Sequence, residues 1–405
     1  MKLEHSRFGH ELTIFLKGRI TAENSPQVET EMVSLLQGDM PEKVVLDAKE
    51  LSYLSSSGLR ILLKLKKECP SLSMVNVSRD VADILQMTGM DTMLDIRRAL
   101  REISVEGCPC IGKGKNGEVY RLDRDTIVKL YPVDSAGWQA VEQEKKNAKA
   151  AFVLGVPTAL SYDVVQVGER IGIVFELVDA RSLRDVVAKQ PEQMELLITR
   201  AAELLKQMHR IQVPAGTFPD MADTYRKRVA GLTEYLTRDE IHLLDRMIDS
   251  IPVRNTYVHG DYHRGNLMVQ GEELVLIDMA DSSTGHPLYD VLGVYMLGMD
   301  LAGKFPPQTV KQIIGWDTDT VRKVWEIFRS VYFETRDAKE LSEIDAMMDA
   351  YCWLRHMTFL NIAPVYTEEL RRKMVESARA QFFPKAEECM ERFAGMIKGM
   401  QHEDE

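Results

Sequence analysis

Cysteine is scarce in this 405-residue chain, and its pattern excludes a disulfide scaffold. Cys69, Cys108, Cys110, Cys352 and Cys389 are odd in number and widely scattered. Cys108 and Cys110 lack the two-residue spacer of a common metal or redox pair, so reduced thiols are the plain reading. Also missing is any apolar run near the ~20 residues that a membrane span needs. Residues 291–299 come closest, and Asp290 and Asp300 close that stretch off. The opening MKLEHSRFGH has no apolar core of a signal peptide. Positive charge is in deficit: 51 Lys plus Arg stand against 62 Asp plus Glu, a net charge of −11. Nucleic-acid binding runs on clustered Lys and Arg, and an anionic membrane surface needs a polybasic run. These absences lead to the expectation of a reduced, cytoplasmic protein with no nucleic-acid and no membrane partner.

Hydrophobic residues make up 45% and charged residues 28%, which is ordinary globular material. The length suggests two or three domains. Repeats, low-complexity segments and Gly/Ser/Pro linkers are also lacking. The first block runs over residues 1–103. Leu12, Ile14 and Leu16 alternate as in a half-buried strand. KVVLDA (43–48) and LSMVNV (72–77) read as further strands, GLRILLKLKKE (58–68) as a helix and ALREI (99–103) as helical. Strands alternating with helices predict a small α/β domain. This block is close to neutral, with 14 basic and 15 acidic residues in 1–105, so the remainder carries nearly all the excess charge. From residue 191 the pattern is mostly helical. Met194, Leu197, Ala201, Leu204, Met208 and Ile211 form an apolar stripe at spacings of three and four.

Chemistry concentrates in the second block, residues 104–405. IGKGKNGEVYRL sets Gly112, Gly114 and Gly117 in a GxGxxGxV pattern. Glycines let backbone N–H groups approach phosphates closely. The pattern lies between strand-like segments and opens no helix, which argues against a dinucleotide fingerprint. Lys129 follows in the apolar strand IVKLY, placed to reach phosphates under the glycines or to extend to the surface. Fifteen residues on, Glu144 could pair with it; Glu142 is the competing choice. VHGDYHRGNLMV and LVLIDMADSS then bring Asp261, Asn266 and Asp278 within 18 residues. Phosphoryl transfer needs a carboxylate to orient an attacking hydroxyl and take its proton, and oxygen ligands for Mg²⁺. Asp261 suits the first task; Asn266 and Asp278 suit the second.

With these residues in place, 104–405 resembles the aminoglycoside phosphotransferase and choline kinase group of the protein-kinase-like fold. His259-Gly260-Asp261-Tyr262-His263-Arg264-Gly265-Asn266 matches that group's HGDxHxxN, and GHPLYD (285–290) its G-x-P-x-x-D segment. The resemblance implies a bilobal unit, a β-rich N-lobe over about 104–178 and a helical C-lobe over about 179–405. It implies that Asp290 supports the catalytic loop and that His259 and His263 orient it through backbone hydrogen bonds. It also implies that the hinge FELVDARSL holds adenine with the backbone around Glu176 to Val178, and that the cofactors are ATP and Mg²⁺.

LDAKELSYLSSSGLRILLKLKK, within 1–103, resembles the anti-sigma-factor-antagonist (STAS) fold. That resemblance implies a helix opening at Gly58 and matches the family's phosphorylated serine to Ser56, while Ser55 replaces its aspartate. A serine at a helix N-terminus is well placed for an added phosphate, and equally for simple capping. The expected fold is therefore α/β plus α+β, a STAS-like domain followed by a kinase-like one.

The expected function is an ATP-dependent phosphotransferase acting on a hydroxyl of an amino-sugar, amino-alcohol or similar small acceptor. The alternatives are a protein kinase or a nucleotide-sensing regulator working through Ser56 and a partner of the STAS-like domain. In ETRDAKELSEIDAMMD, Glu334, Asp337, Glu340, Glu343, Asp345 and Asp349 would favour a cationic acceptor if they faced the cleft, and otherwise form a solvated helix face.

Overall fold

The computed structural model describes residues 3–36, 41–114, 117–132, 135–271, 273–363 and 366–400. The chain separates into two compact units, Met1–Ile103 and Ser104–Glu405.

The first unit contains β1 (Glu4–Phe8), β2 (Glu11–Ile20), α1 (Ser25–Leu36), β3 (Lys43–Leu54), α2 (Ser56–Glu68), β4 (Leu72–Val77), α3 (Arg79–Met87), β5 (Asp95–Arg98) and the short β6 (Arg101–Glu102). Strands β1 to β5 form one sheet in that order. β1 pairs antiparallel with β2, and the remaining pairs are parallel. The period-two pattern of β2 buries Leu12, Ile14 and Leu16, with Leu12 against Val44 and Ile14 against Leu46. β3 is buried at Val44, Val45 and Leu46 in succession, as expected where both faces of a parallel strand are covered. Each such side chain contributes roughly 1.5–3 kcal/mol on burial. The α2 helix turns Ile61, Leu62 and Leu65 inward and opens at Ser56, two residues before Gly58. Its cap is Ser55, whose hydroxyl accepts from the Gly58 N–H at 3.3 Å. The helix expected at ALREI is absent. Five residues are too few to repay helix nucleation, and the Ala99 N–H bonds instead to the Val77 carbonyl at 2.9 Å.

The second unit begins with a sheet containing β7 (Cys110–Gly114), β8 (Gly117–Arg121), β9 (Thr126–Leu130), β10 (Ser161–Val167) and β11 (Arg170–Glu176). Their spatial order is β10-β11-β9-β8-β7, all antiparallel. Helix α4 (Ser135–Val153) packs on the β10–β11 side.

Beyond the sheet, β12 (Arg181–Ser182) leads into α5 (Leu183–Lys189), α6 (Met194–Arg210), α7 (Met221–Ala230) and α8 (Arg238–Asp249). Two small sheets follow: β13 (Thr256–Val258) pairs with β16 (Ser283–Gly285), and β14 (Leu267–Gln270) lies between β12 and β15 (Glu273–Leu276). Helices α9 (Leu288–Tyr295), α10 (Leu301–Lys304), α11 (Pro307–Ile314), α12 (Thr318–Tyr332), α13 (Ala338–Phe359), α14 (Glu368–Gln381) and α15 (Ala386–Lys398) complete the lobe. The stripe on α6 buries Met194, Leu197, Ala201 and Met208, and the helix packs against α12. The apolar stretch 291–299 lies in the C-lobe core, and no described helix is long and apolar enough to cross a membrane.

Candidate active site

The glycine-rich segment is the β7–β8 hairpin, with Gly112 opposite Val119 and Gly114 opposite Gly117. Its tip, Lys115 and Asn116, lies outside the described residues. Gly117 has φ +138°, and a Cβ there would stand 2.0 Å from the Leu130 carbonyl oxygen, so only glycine lets β8 lie this close to β9.

Lys129 lies on β9 beneath the hairpin, its side chain only 12% exposed. Its ammonium donates to both Glu144 oxygens at 2.9 and 3.0 Å and to Asp278 Oδ1 at 3.2 Å. Glu144 projects from α4 and is buried, whereas Glu142 is exposed. The Tyr131 hydroxyl adds a 2.6 Å bond to Glu144. Burial works against the Lys129 ammonium, but the two carboxylates outweigh it and raise its pKa. Burial also pushes Glu144 towards the neutral acid; with three short hydrogen bonds from Lys129 and Tyr131 on its oxygens, the ion pair is the state the geometry supports.

Asp278 follows β15 at φ +64°, a left-handed conformation that costs a non-glycine residue about 1 kcal/mol or more. Its neighbours are tied down. The Ile277 N–H bonds to the Asn266 carbonyl at 2.9 Å, and Asn147 Nδ2 donates to the carbonyls of Met279, Ala280 and Ser282. Asn266 is buried and donates its amide to the Asp261 carbonyl at 3.0 Å and to Asp261 Oδ2 at 3.3 Å.

The Asp261 loop is held through its backbone. Buried Asp290, at the start of α9, accepts from the N–H groups of His259 at 2.8 Å and Gly260 at 2.7 Å. Gly260 has φ +81°, and a Cβ there would meet the Asp281 carbonyl at 2.4 Å. The Asp261 N–H donates to His259 Nδ1 at 3.2 Å. His263 Nδ1 accepts from Gly265 and Asn266 N–H, which leaves the hydrogen on Nε2, 3.4 Å from Asp261 Oδ2. Burial alone would raise the Asp261 pKa. The hydrogen bond from His263, with the nearby His263 and His259 rings and the Arg355 cation, outweighs it and holds the carboxyl well below the usual range. Asp290 is lowered too, its burial outweighed by His209 and His259.

A cleft of about 300 Å³ brings part of this set together; Asp261, Gly114 and Gly117 are not among its lining residues, and Asp261 adjoins it through its bond to Asn266. Gly112, Lys129, Glu144, Asn266 and Asp278 line it, as do Glu176 and Val178 of the segment after β11. Glu176 is fixed there by backbone and side-chain bonds to Leu160. None of the acidic residues of 334–349 lines this cleft, and four of the six are engaged elsewhere. Asp337 caps α13, Glu334 pairs with Lys206, Glu343 with Arg392, and Asp345 with Trp325 and Arg329.

Residues 111–324 match the model of the phosphotransferase enzyme family (APH). The chain belongs to this family. Residues 3–103 match the STAS domain. Among solved structures, the phosphotransferase is similar to the ADP-bound aminoglycoside phosphotransferase APH(2'')-Ib, at 15% identity and TM-score 0.43 over 78% of this chain and 99% of that one. A choline/ethanolamine kinase family protein from Mesorhizobium loti matches at 15% identity and TM-score 0.41, over 72% and 92%. APH(3'')-Id from Streptomyces rimosus, in complex with ADP and streptomycin, matches at 16% and 0.41, over 62% and 92%. No curated protein matches the chain.

Several groups around the phosphotransferase's cleft carry no sequence motif. Tyr131 and Asn147 are two; Asn147 lies one turn after Glu144 on α4, which is the signal that could have found it. His209 on α6 bonds to Asp290 at 3.2 Å and to the Tyr332 hydroxyl at 2.7 Å. Asp281 is paired with Arg228 at 3.3 Å and its pKa is raised, first by burial and further by Asp261 and Asp278. Arg355 on α13 reaches the Gly260 carbonyl.

Proposed function

We propose that this chain transfers the γ-phosphoryl group of ATP to a hydroxyl of a small-molecule acceptor, an amino-sugar or amino-alcohol by family resemblance. The observation that carries the reading is the Lys129 ammonium. It is bonded at once to Glu144 and Asp278, in a cleft that Asn266 also lines. Such a cation, pre-aimed by a buried carboxylate, suits the phosphates of a nucleotide lying under the glycine hairpin.

In this reading the apolar cleft near Glu176 and Val178 takes the base, and Lys129 takes the phosphate oxygens. The donor set fits magnesium. Asp278 and Asn266 offer hard oxygens, and the Asn266 amide nitrogen is committed to Asp261, leaving its carbonyl oxygen as the ligand atom. Magnesium, when bound, supplies charge neutralisation on the β- and γ-phosphates. Asp261, kept ionised, accepts the proton of the acceptor hydroxyl. The acceptor oxygen bonds to the γ-phosphorus as its bond to the ADP oxygen breaks, and Asp261 then returns the proton to solvent. The acceptor's charge does not follow from the acidic run, because Asp337 is engaged in a cap and Glu334, Glu343 and Asp345 in ion pairs, and none of the six lines the Lys129 cleft. ATP supply fits a cytoplasmic setting.

ATP consumption over a panel of amino-sugars and amino-alcohols tests this reading. Turnover is expected with at least one acceptor, and Asp261→Asn is expected to abolish it while nucleotide binding persists. Turnover by Asp261→Asn at the wild-type rate would overturn the assignment. A second reading rests on Ser56, which is exposed on the first turn of α2. It could receive phosphate, in this chain or through a partner of the STAS domain, and labelled ATP separates that outcome from small-molecule transfer.

A further inference from the structure

Arg355 is a buried cation, 1% exposed, with no carboxylate within salt-bridge distance among the described residues. Such burial is strongly unfavourable unless the surroundings use the charge. Its fork is committed to three oxygens. Nη1 donates to the Tyr225 hydroxyl at 3.0 Å and to the Tyr289 carbonyl at 3.1 Å, and Nη2 donates to the Gly260 carbonyl at 3.2 Å. The Phe359 ring lies 4.7 Å away, under the guanidinium. Space for it comes from Gly293 on α9, where a Cβ would stand 2.9 Å from Nη2.

The Gly260 carbonyl and the Asp261 N–H belong to one peptide group. Arg355 holds the carbonyl side, and His259 Nδ1 holds the N–H side at 3.2 Å. The preceding N–H, of Gly260, is held by Asp290 at 2.7 Å. The same guanidinium also grips the carbonyl of Tyr289, the residue before Asp290, so it joins the two segments that Asp290 joins. We infer that Arg355 is a positioning residue for phosphoryl transfer: from α13 it clamps the Gly260–Asp261 peptide and so fixes the aim of the Asp261 carboxylate. A lysine cannot replace it, because one ammonium on a flexible stem does not reproduce a planar fork. The inference rests on the proposed role of Asp261.

The test uses the full chain with Arg355→Lys, and with Gly293→Ala, which crowds the guanidinium without removing it, should the lysine variant fail to fold. ATP turnover, ADP affinity by calorimetry and amide hydrogen exchange are measured. Expected for the variant are a kcat lowered about 10–100-fold, as a small misplacement of a reacting group produces, and a KM for ATP within about twofold of wild type. Exchange over residues 256–266 should quicken while α6 keeps its protection. A kcat and loop exchange equal to wild type would overturn the inference. So would parallel loss of kcat, ADP affinity and protection throughout the C-lobe, which marks a purely structural residue. If the wild type turns over no ATP, the phosphotransfer reading falls, and loop exchange alone decides whether the clamp exists.

Discussion

The buried Lys129–Glu144 pair admits a decisive perturbation, Glu144→Gln. The substitution keeps the size of the side chain and an acceptor for the Tyr131 hydroxyl, and removes one charge. With side chains 12% and 3% exposed, the pair is shielded from solvent. Breaking a buried pair from one side costs about 3–5 kcal/mol, because the remaining charge is stranded. Asp278, 3.2 Å from the same ammonium, remains as a partner and places the expected loss at the low end, about 3 kcal/mol. Urea unfolding measures it. Glu142→Gln, at an exposed site on the same helix, should stay within about 0.5 kcal/mol of wild type. Activity should fall as well. With Glu144 neutral, Lys129 is drawn to Asp278, a proposed metal ligand, and kcat/KM for ATP should drop about tenfold, or about 1.4 kcal/mol. The double variant Lys129→Met/Glu144→Gln should be more stable than Glu144→Gln alone, since it removes the stranded charge. A stable Glu144→Gln with wild-type kcat/KM would refute the reasoning, as would a double variant whose losses simply add.

Gly117→Ala places a methyl group 2.0 Å from the Leu130 carbonyl at a φ of +138°; ATP affinity by calorimetry should fall about tenfold or more, since the resulting strain is of order 1–3 kcal/mol. Gly112→Ala, whose Cβ would stand 3.5 Å from Val119, should bind nearly as wild type. His286 predicts a pH dependence. It is buried, its Nδ1 accepts from Leu288 N–H and its Nε2 donates to the Ile397 carbonyl, and burial lowers its pKa to about 3. Between the ordinary value of 6.5 and about 3 the unfolded chain binds the extra proton and the folded chain does not. Stability should therefore fall as pH is lowered from 6.5 towards about 3, by up to about 1.4 kcal/mol per unit from this group. His286→Asn should flatten the slope in urea unfolding; equal slopes would sink the assignment.

Where the sequence was legible, the information was local. LSMVNV coincides with β4, and Leu12, Ile14 and Leu16 alternate because a strand with one face on the core repeats every two residues. The α6 stripe was readable for the same reason at period 3.6, although Leu205 rather than Leu204 is fully buried. ALREI failed because five residues carry too little periodicity, and the partner of its first N–H, Val77, lies on another strand. The acidic run shows the same limit for charge. Six carboxylates in sixteen residues look like one electrostatic feature. Their partners Lys206, Arg329 and Arg392 come from three other helices that local spacing cannot name.

The cleft was legible in proportion to how local its contacts are. Lys129 and Glu144 are fifteen residues apart, on a strand and the next helix, so spacing offered the pair, and burial in the folded chain decided it against Glu142. Asp278 reaches Lys129 across 149 residues, a contact no local spacing could show, although its motif marked it as a candidate metal ligand. Arg355 reaches Gly260 across 95 residues and lies in no motif. In the sequence it is one more arginine on a helix. Its role rests on three carbonyl and hydroxyl oxygens, which carry no sequence signature, since every residue has a carbonyl. A motif marks the side chains that do chemistry. The groups that aim them act on backbone, and backbone contacts of that kind become visible only in the folded chain.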